Sequence, residues 1–181
     1  MDRAVFLDRD GVLNEDNGYT YKLSDLRILD GVIHGLKKIS HLNYKLIIIT
    51  NQSGIARGLF SENQMHLFMK GLLRNLSEHD IYFHDYFFCP HHSDGIVAEY
   101  AKNCSCRKPE AGMLFHAEKK HDLDLTQSIL IGDKETDILA GVKANLRSNI
   151  LIDPNGKNNN SRASDIVKNL VEASKIIKDY F

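Results

Sequence analysis

Asp8 and Asp10, in the run Val5-Phe6-Leu7-Asp8-Arg9-Asp10-Gly11-Val12, stand one residue apart where an apolar segment gives way to glycine. In extended backbone, side chains two apart share a face, so both carboxylates can converge on one point above a sheet edge. One can attack an electrophile while the other moves protons. Further along, Thr50-Asn51-Gln52-Ser53-Gly54 offers a hydroxyl and backbone amides able to hold phosphate oxygens. Arg107-Lys108-Pro109 supplies cations, and Gly132-Asp133, with Asp137 one helical turn on, supplies further carboxylates. Such a set suits phosphoryl transfer. An anionic carboxylate is repelled by an anionic phosphate, so a divalent cation and a lysine must neutralise charge before attack. Magnesium, which takes oxygen ligands and retains waters, suits Asp8, Asp133 and the backbone carbonyl of Asp10.

A lone Asp-x-Asp before glycine is more often a turn or a helix cap, and a lone Gly-Asp is a weaker signal still. Four signals in order, each at the end of an apolar run, reverse that reading. For Asp137 two roles stay open: a partner behind the metal ligands, or a solvated helix carboxylate. Arg9 is expected to be structural or exposed.

The elements that must position these residues follow from hydrophobic patterning. Short apolar runs at Ala4 to Leu7, Leu46 to Ile49, Tyr86 to Phe88, Ile129 to Ile131 and Ile150 to Ile152 read as buried parallel strands. Between them, Val32, Leu36 and Ile39 have helical spacing. Ser61 with Gln64 resembles a capping box opening a long amphipathic helix that carries Leu67, Leu72 and Leu76. Further helices are expected from about Gly112 to His121 and over Thr136 to Ala144, and a last one carries Ile166, Leu170, Ala173 and Ile177. Strand and helix in alternation predict an α/β, Rossmann-like three-layer fold with a mostly parallel sheet, whose ligands collect at the carboxyl ends of the strands. The polar stretch Asn155 to Arg162, with Asn158, Asn159 and Asn160 in a row, reads as a surface loop. There is no internal repeat and no glycine-rich P-loop, which argues against a nucleoside triphosphatase of that kind.

With 181 residues, 43% of them hydrophobic, the chain suits a single domain over 1–181 with a real core. Its 23 Lys and Arg nearly balance 24 Asp and Glu, leaving a net charge of -1 and no general attraction for nucleic acid or an anionic membrane. No apolar run approaches the roughly 20 residues needed to span a bilayer, and the first strand begins almost at once, so a cytoplasmic location is expected. No association surface is recognisable, which makes a monomer the expectation.

All three cysteines, Cys89, Cys104 and Cys106, fall in one short stretch. An odd, clustered set is a poor disulfide framework. Cys89-Pro90-His91-His92 followed by Cys104-Ser105-Cys106 offers three thiolates and an imidazole, the donor set of a closed tetrahedral structural zinc site, with His91 as the expected ligand and His92 facing solvent or substrate. Because Arg107 and Lys108 follow Cys106 directly, such a zinc-stabilised loop would fix both cations, and they would offset the formal charge of -1 that three thiolates leave on the centre.

The four motifs Asp8-Arg9-Asp10-Gly11-Val12, Thr50-Asn51, Lys108-Pro109 and Gly132-Asp133-Lys134-Glu135-Thr136-Asp137 resemble those of the haloacid dehalogenase superfamily of phosphatases. The resemblance implies that Asp8 forms an aspartyl-phosphate, that Asp10 protonates the leaving oxygen and then activates water, and that Thr50 and Lys108 hold the phosphate and the nucleophile. With Asn51-Gln52-Ser53-Gly54-Ile55-Ala56-Arg57-Gly58, Cys89-Pro90-His91-His92, Cys104-Ser105-Cys106-Arg107-Lys108-Pro109 and Gly112-Met113-Leu114, the match narrows to the D-glycero-D-manno-heptose 1,7-bisphosphate phosphatase family and fades after about Asp153. That family removes the C7 phosphate from its sugar substrate, on the way to nucleotide-activated heptoses for lipopolysaccharide, surface layers or capsule. Its zinc ligands map to Cys89, His91, Cys104 and Cys106. It lacks a large cap domain, so short loops must enclose the substrate: Asn14 to Tyr21, Ser53 to Gly58, and the stretch between Cys89 and Cys104. Asn51, Arg57 and Arg107 are expected to bind substrate, the arginines through donors that match phosphate oxygens, with a loop salt bridge the rival role for Arg57. Val12 departs from the commonest form, in which threonine stands there.

Histidinol-phosphate phosphatase shares the four motifs, but its zinc loop is shorter, and the long Cys89 to Cys104 separation favours the heptose substrate. A polynucleotide 3′-phosphatase would carry a basic groove. A non-catalytic zinc-stabilised binding module would have lost Asp8 or Asp10, and both are present. Transfer of the phosphoryl group to a sugar hydroxyl instead of water would use the same residues.

Overall fold

A computed structural model of the chain describes residues 1–158 and 160–180. Asn159, in the run of three asparagines, lies outside the described residues. Six strands form one parallel sheet: β1 (Ala4–Leu7), β2 (Lys45–Asn51), β3 (Asp85–Cys89), β4 (Ile129–Gly132), β5 (Ser148–Ile152) and β6 (Asp165–Val167), in the spatial order β3-β2-β1-β4-β5-β6. The chain steps outward from β1 in one direction and then returns to its other side. The carboxyl end of β1 therefore lies at the point where the order reverses, where open α/β sheets hold their ligands.

Alternation along the strands divides the core between the two faces. Val5 and Leu7 of β1 point to one face, and Ala4 and Phe6 to the other. Helices α1 (Val32–Ser40), α2 (Glu62–Ser77) and α5 (Leu170–Asp179) cover the first face, with Leu36, Met69 and Ile177 among the buried side chains. Helices α3 (Gly112–His121) and α4 (Glu135–Lys143) cover the second, through Met113, Leu114 and Ile138. The result is the three-layer fold the patterning predicts. Among the described residues no helix is long and apolar enough to cross a membrane.

Ser61 and Gln64 form the expected capping box: the Ser61 hydroxyl accepts from the Gln64 amide at 3.2 Å, and the Ser61 amide donates to Gln64 Oε1 at 2.9 Å. Two expectations need correcting. Leu67 is 60% exposed, and the buried stripe of α2 runs through Met65, Phe68, Met69, Leu72 and Leu76 instead. Ile166 belongs to β6, not to the last helix, which begins only after Asn169 caps it by accepting from the Glu172 amide. Asn155 to Arg162 lies between β5 and β6, and at its start the Asp153 carboxylate accepts from the amides of Asn155 and Asn158.

Candidate active site

The chemistry-bearing residues collect at the carboxyl ends of β1, β2 and β4, around a cavity of about 360 Å³ lined by Asp8, Asp10, Thr50, Asn51, Arg107, Lys108 and Asp137 among others. Asp8 follows β1 directly, and its amide donates to Ile131 O of β4 at 3.0 Å, so the central strand pair fixes its backbone. The Lys108 ammonium is buried, 2.9 Å from Asp8 Oδ1 and 2.6 Å from Asp137 Oδ1, and it also donates to Ile49 O at 2.9 Å. Burial works against that charge, but Asp137 and Asp8 outweigh it and push the Lys108 pKa up, so the lysine stays cationic.

Asp137 is 1% exposed, which removes the solvated reading. Its Oδ2 accepts from the amide of Lys134 at the start of α4 while its Oδ1 holds Lys108. Asp8, Asp133 and Asp137 offer carboxylate oxygens all within 4.8 Å of one another. Asp133 Oδ1 is buried with no hydrogen-bond partner among the described residues. Burial, and after it the charge of Asp8, push the Asp133 pKa up to about 7. Three converging carboxylates with an orphaned oxygen among them suit a hard divalent cation. Gly11, with φ +86°, passes so close to Asp133 that a Cβ there would land on its carboxylate.

Asp10 is held differently. Its carboxylate accepts from Arg9 Nε and Nη2, from Asn14 Nδ2 at 2.9 Å and from Gln52 Nε2 at 3.0 Å. Gln52 Nε2 also donates to Thr50 Oγ1 at 2.8 Å, which joins the hydroxyl at the end of β2 to the acid/base candidate. Arg9 is wholly buried, which removes the exposed reading. The sequence does not mark Gln52 for this place, because nothing in its spacing separates it from the other polar residues of that turn.

Asn51 lines the cavity but spends its amide on the lysine loop: Nδ2 donates to Lys108 O and Oδ1 accepts from the Lys108 amide. The same side chain therefore both borders the cavity and fixes the backbone of Lys108. Arg57 does not line the cavity. The Ser53 to Gly58 turn carries it to His92, with Nη2 3.1 Å from Nε2 of that ring, and the rival role, a loop salt bridge, finds no acidic partner among the described residues. Burial, Arg107 and Arg57 together lower the His92 pKa, which favours the neutral imidazole. Arg107 does face the cavity, with Nη1 3.4 Å from His91 O. The segment Asn14 to Tyr21 brings Asp16, Gly18 and Tyr19 over the opening, and Asp16 is tied to Lys134 at 3.0 Å.

Cys89, His91, Cys104 and Cys106 converge as a second cluster. Cys106 Sγ lies 2.9 Å from Cys89 Sγ, 3.2 Å from Cys104 Sγ and 3.2 Å from His91 Nδ1. The cysteines are free thiols. The partnership with Cys89, with help from Cys104 and His91, lowers the Cys106 pKa to about 5 against burial, while the same partnership, reinforced by burial, pushes Cys89 well up. Three sulfurs and one imidazole nitrogen with no covalent link between them form the donor set of a tetrahedral metal centre, and the cluster could hold an ion. His91 points into it, and His92 points away.

A parallel three-layer sheet whose central strand delivers Asp-x-Asp, facing a buried lysine and a carboxylate cluster from β4, defines a phosphohydrolase of the haloacid dehalogenase type. A HAD-hydrolase-like family model matches residues 105–173. The chain is 45% identical over 152 residues to D-glycero-beta-D-manno-heptose-1,7-bisphosphate 7-phosphatase of Haemophilus influenzae, covering 84% of this chain and 82% of that one. It is 43% identical to D-glycero-alpha-D-manno-heptose-1,7-bisphosphate 7-phosphatase of Photorhabdus laumondii, over 97% of each. A crystal structure of D,D-heptose 1,7-bisphosphate phosphatase from B. bronchiseptica, complexed with magnesium and phosphate, superposes with a TM-score of 0.85 at 25% identity, covering 99% of both chains. The chain belongs to the D-glycero-D-manno-heptose 1,7-bisphosphate 7-phosphatase family, and it is a phosphoric monoester hydrolase.

Proposed function

We propose that the chain, acting as a single domain over residues 1–181, removes the C7 phosphate of D-glycero-D-manno-heptose 1,7-bisphosphate. The observation that carries this reading is Lys108, held between Asp8 and Asp137 on the floor of a cavity that also receives Asp10. Asp8 attacks phosphorus, and the bond to the C7 oxygen breaks as that oxygen takes the proton of the Asp10 carboxyl. Water then gives a proton to Asp10 and attacks the aspartyl-phosphate, freeing inorganic phosphate and restoring Asp8. Lys108 and Thr50 hold the transferring group. Arg107, at the cavity mouth, is placed for the second phosphate or the sugar.

Asp8, Asp133 and the backbone carbonyl of Asp10 would hold magnesium, which would neutralise phosphate charge when bound. The second cluster would hold zinc through Cys89, His91, Cys104 and Cys106, a structural ion that would tie Cys106, and so Arg107 and Lys108, to the end of β3. The enzyme works as a cytoplasmic monomer on a small sugar phosphate, with no nucleic-acid or membrane partner.

The test is magnesium-dependent phosphate release from the α and β anomers of heptose 1,7-bisphosphate beside histidinol phosphate, under one set of conditions. Fast release of one phosphate from a heptose bisphosphate supports the reading, and the preferred anomer gives the pathway. Preference for histidinol phosphate would keep the chemistry and overturn the substrate.

A further inference from the structure

Arg9 sits between the two motif aspartates and is 0% exposed, the largest fully buried side chain among the described residues. Burying a guanidinium is costly unless its donors are engaged. Here Nε lies 3.1 Å from each Asp10 oxygen, and Nη2 donates to Asp10 Oδ2 at 2.8 Å, to Thr20 O at 2.7 Å and to Gln52 Oε1 at 3.2 Å. Nη1 rests 3.9 Å from Met69 Sδ, and the guanidinium carbon lies 4.6 Å above the Phe68 ring. Phe68 and Met69 are themselves fully buried in α2. The cation is therefore clamped from behind by an aromatic face and presents its fork to one carboxylate.

We propose that Arg9 is a positioning residue for proton transfer, fixing the Asp10 carboxyl where it can reach the leaving oxygen and tying that orientation to the loop over the cavity. The proposal rests on the reading of Asp10 as the acid/base residue. Stability is a weak reason for the arrangement, because a buried ion pair as a whole is often no more stabilising than well-packed apolar residues in place of both partners. What the fork adds is direction. A carboxylate gripped side-on by Arg9, with Asn14 and Gln52 on its flanks, cannot turn without breaking several charge-assisted hydrogen bonds. The bond to Thr20 O extends this grip to the Asn14 to Tyr21 loop, whose left-handed Gly18 and Tyr19 (φ 72° and 56°) line the cavity. Thus one guanidinium reads both the loop and the acid/base group.

The leaving group distinguishes this role from a structural one. A sugar alkoxide must be protonated as it departs, whereas p-nitrophenolate leaves without a proton. Because kcat/KM reports the steps up to departure of the leaving group, it isolates that difference from later hydrolysis of the aspartyl-phosphate. For Arg9→Met, kcat/KM on heptose 1,7-bisphosphate should fall about 100-fold, in the range of general-acid contributions, and on p-nitrophenyl phosphate less than about 5-fold. Most of the loss on the sugar should be in kcat, with KM changed less than about threefold. Asp10→Asn should show the same leaving-group selectivity, and the double variant should be no slower than Asp10→Asn alone. Where the methionine variant does not fold, Arg9→Lys carries the same test, since it keeps a buried charge against Asp10 without the fork. Equal losses on both substrates, in a folded variant, would overturn the proposal while leaving the role of Asp10 intact. Equal losses for Asp10→Asn itself would overturn the acid/base reading and the proposal with it.

Discussion

Asn51 and Lys108 close a ring of two opposed hydrogen bonds, both 3.1 Å, in which the side-chain amide of one reads the backbone of the other as a strand neighbour would. The end of β2 thereby dictates where the lysine loop lies, although the two residues are 57 apart in sequence. A buried amide and carbonyl would otherwise go unpaired.

Asn51→Ala should consequently act through Lys108. We expect kcat to fall by about 10- to 100-fold with KM little changed, and stability to fall by about 1–3 kcal/mol from the unpaired groups. Steady-state kinetics beside a denaturant titration checks this. A raised KM at constant kcat would instead return Asn51 to the substrate.

Lys108→Met removes the charge between Asp8 and Asp137, leaving two buried carboxylates face to face. Breaking such an arrangement costs about 3–5 kcal/mol, and turnover should drop more than about 1,000-fold. Adding Asp137→Asn should recover part of the stability and none of the activity, which thermal melts and phosphate release would separate.

Metal binding should be steeply dependent on pH. Asp133 titrates near 7 in the metal-free protein, above its ordinary range because of burial and the charge of Asp8. A carboxylate raised in this way opposes folding once ionised, so its contribution to metal-free stability is lost as pH rises from about 4 to 7. Magnesium needs the ionised form, so its affinity should weaken up to about tenfold per pH unit below 7. Melting temperatures at pH 5 and pH 8, with and without magnesium, check both signs: the metal should raise the midpoint much more at pH 8.

Cys106→Ala or His91→Ala should lower zinc content, and His92→Ala should not, because only the first two side chains enter the cluster. Loss of the metal should also loosen Arg107 and Lys108, reducing kcat while β1, β2 and β4 stay folded. Elemental analysis with amide exchange over residues 104–110 is the check, and unchanged zinc in Cys106→Ala would refute the ligand set.

The strands flanking the site were legible because fully buried parallel strands are short apolar runs, and Ala4–Leu7 has the bounds its composition predicts. Ile166 misled because its spacing to Leu170, Ala173 and Ile177 mimics a helix, while a three-residue edge strand is too short to declare a period of two. Asp8, Asp133 and the cysteines could be read from local motifs. The partners of Arg9 could not, since Thr20, Gln52 and Phe68 reach it from a loop, a strand end and a helix, and none of them is marked by spacing.

The position of β1 in the sheet also bears on how the chain is made. β2 can pair with β1 early in synthesis, but the other edge of β1 waits for Ile129–Gly132. Until then a wholly apolar strand presents unpaired amides and carbonyls, the kind of edge that recruits strands from other chains. Since the Asp8 amide bonds to Ile131 O, the nucleophile gains its backbone anchor only at that same step. A nascent chain halted before Ile129 therefore has both an open apolar strand edge and a reactive carboxylate with no fixed address.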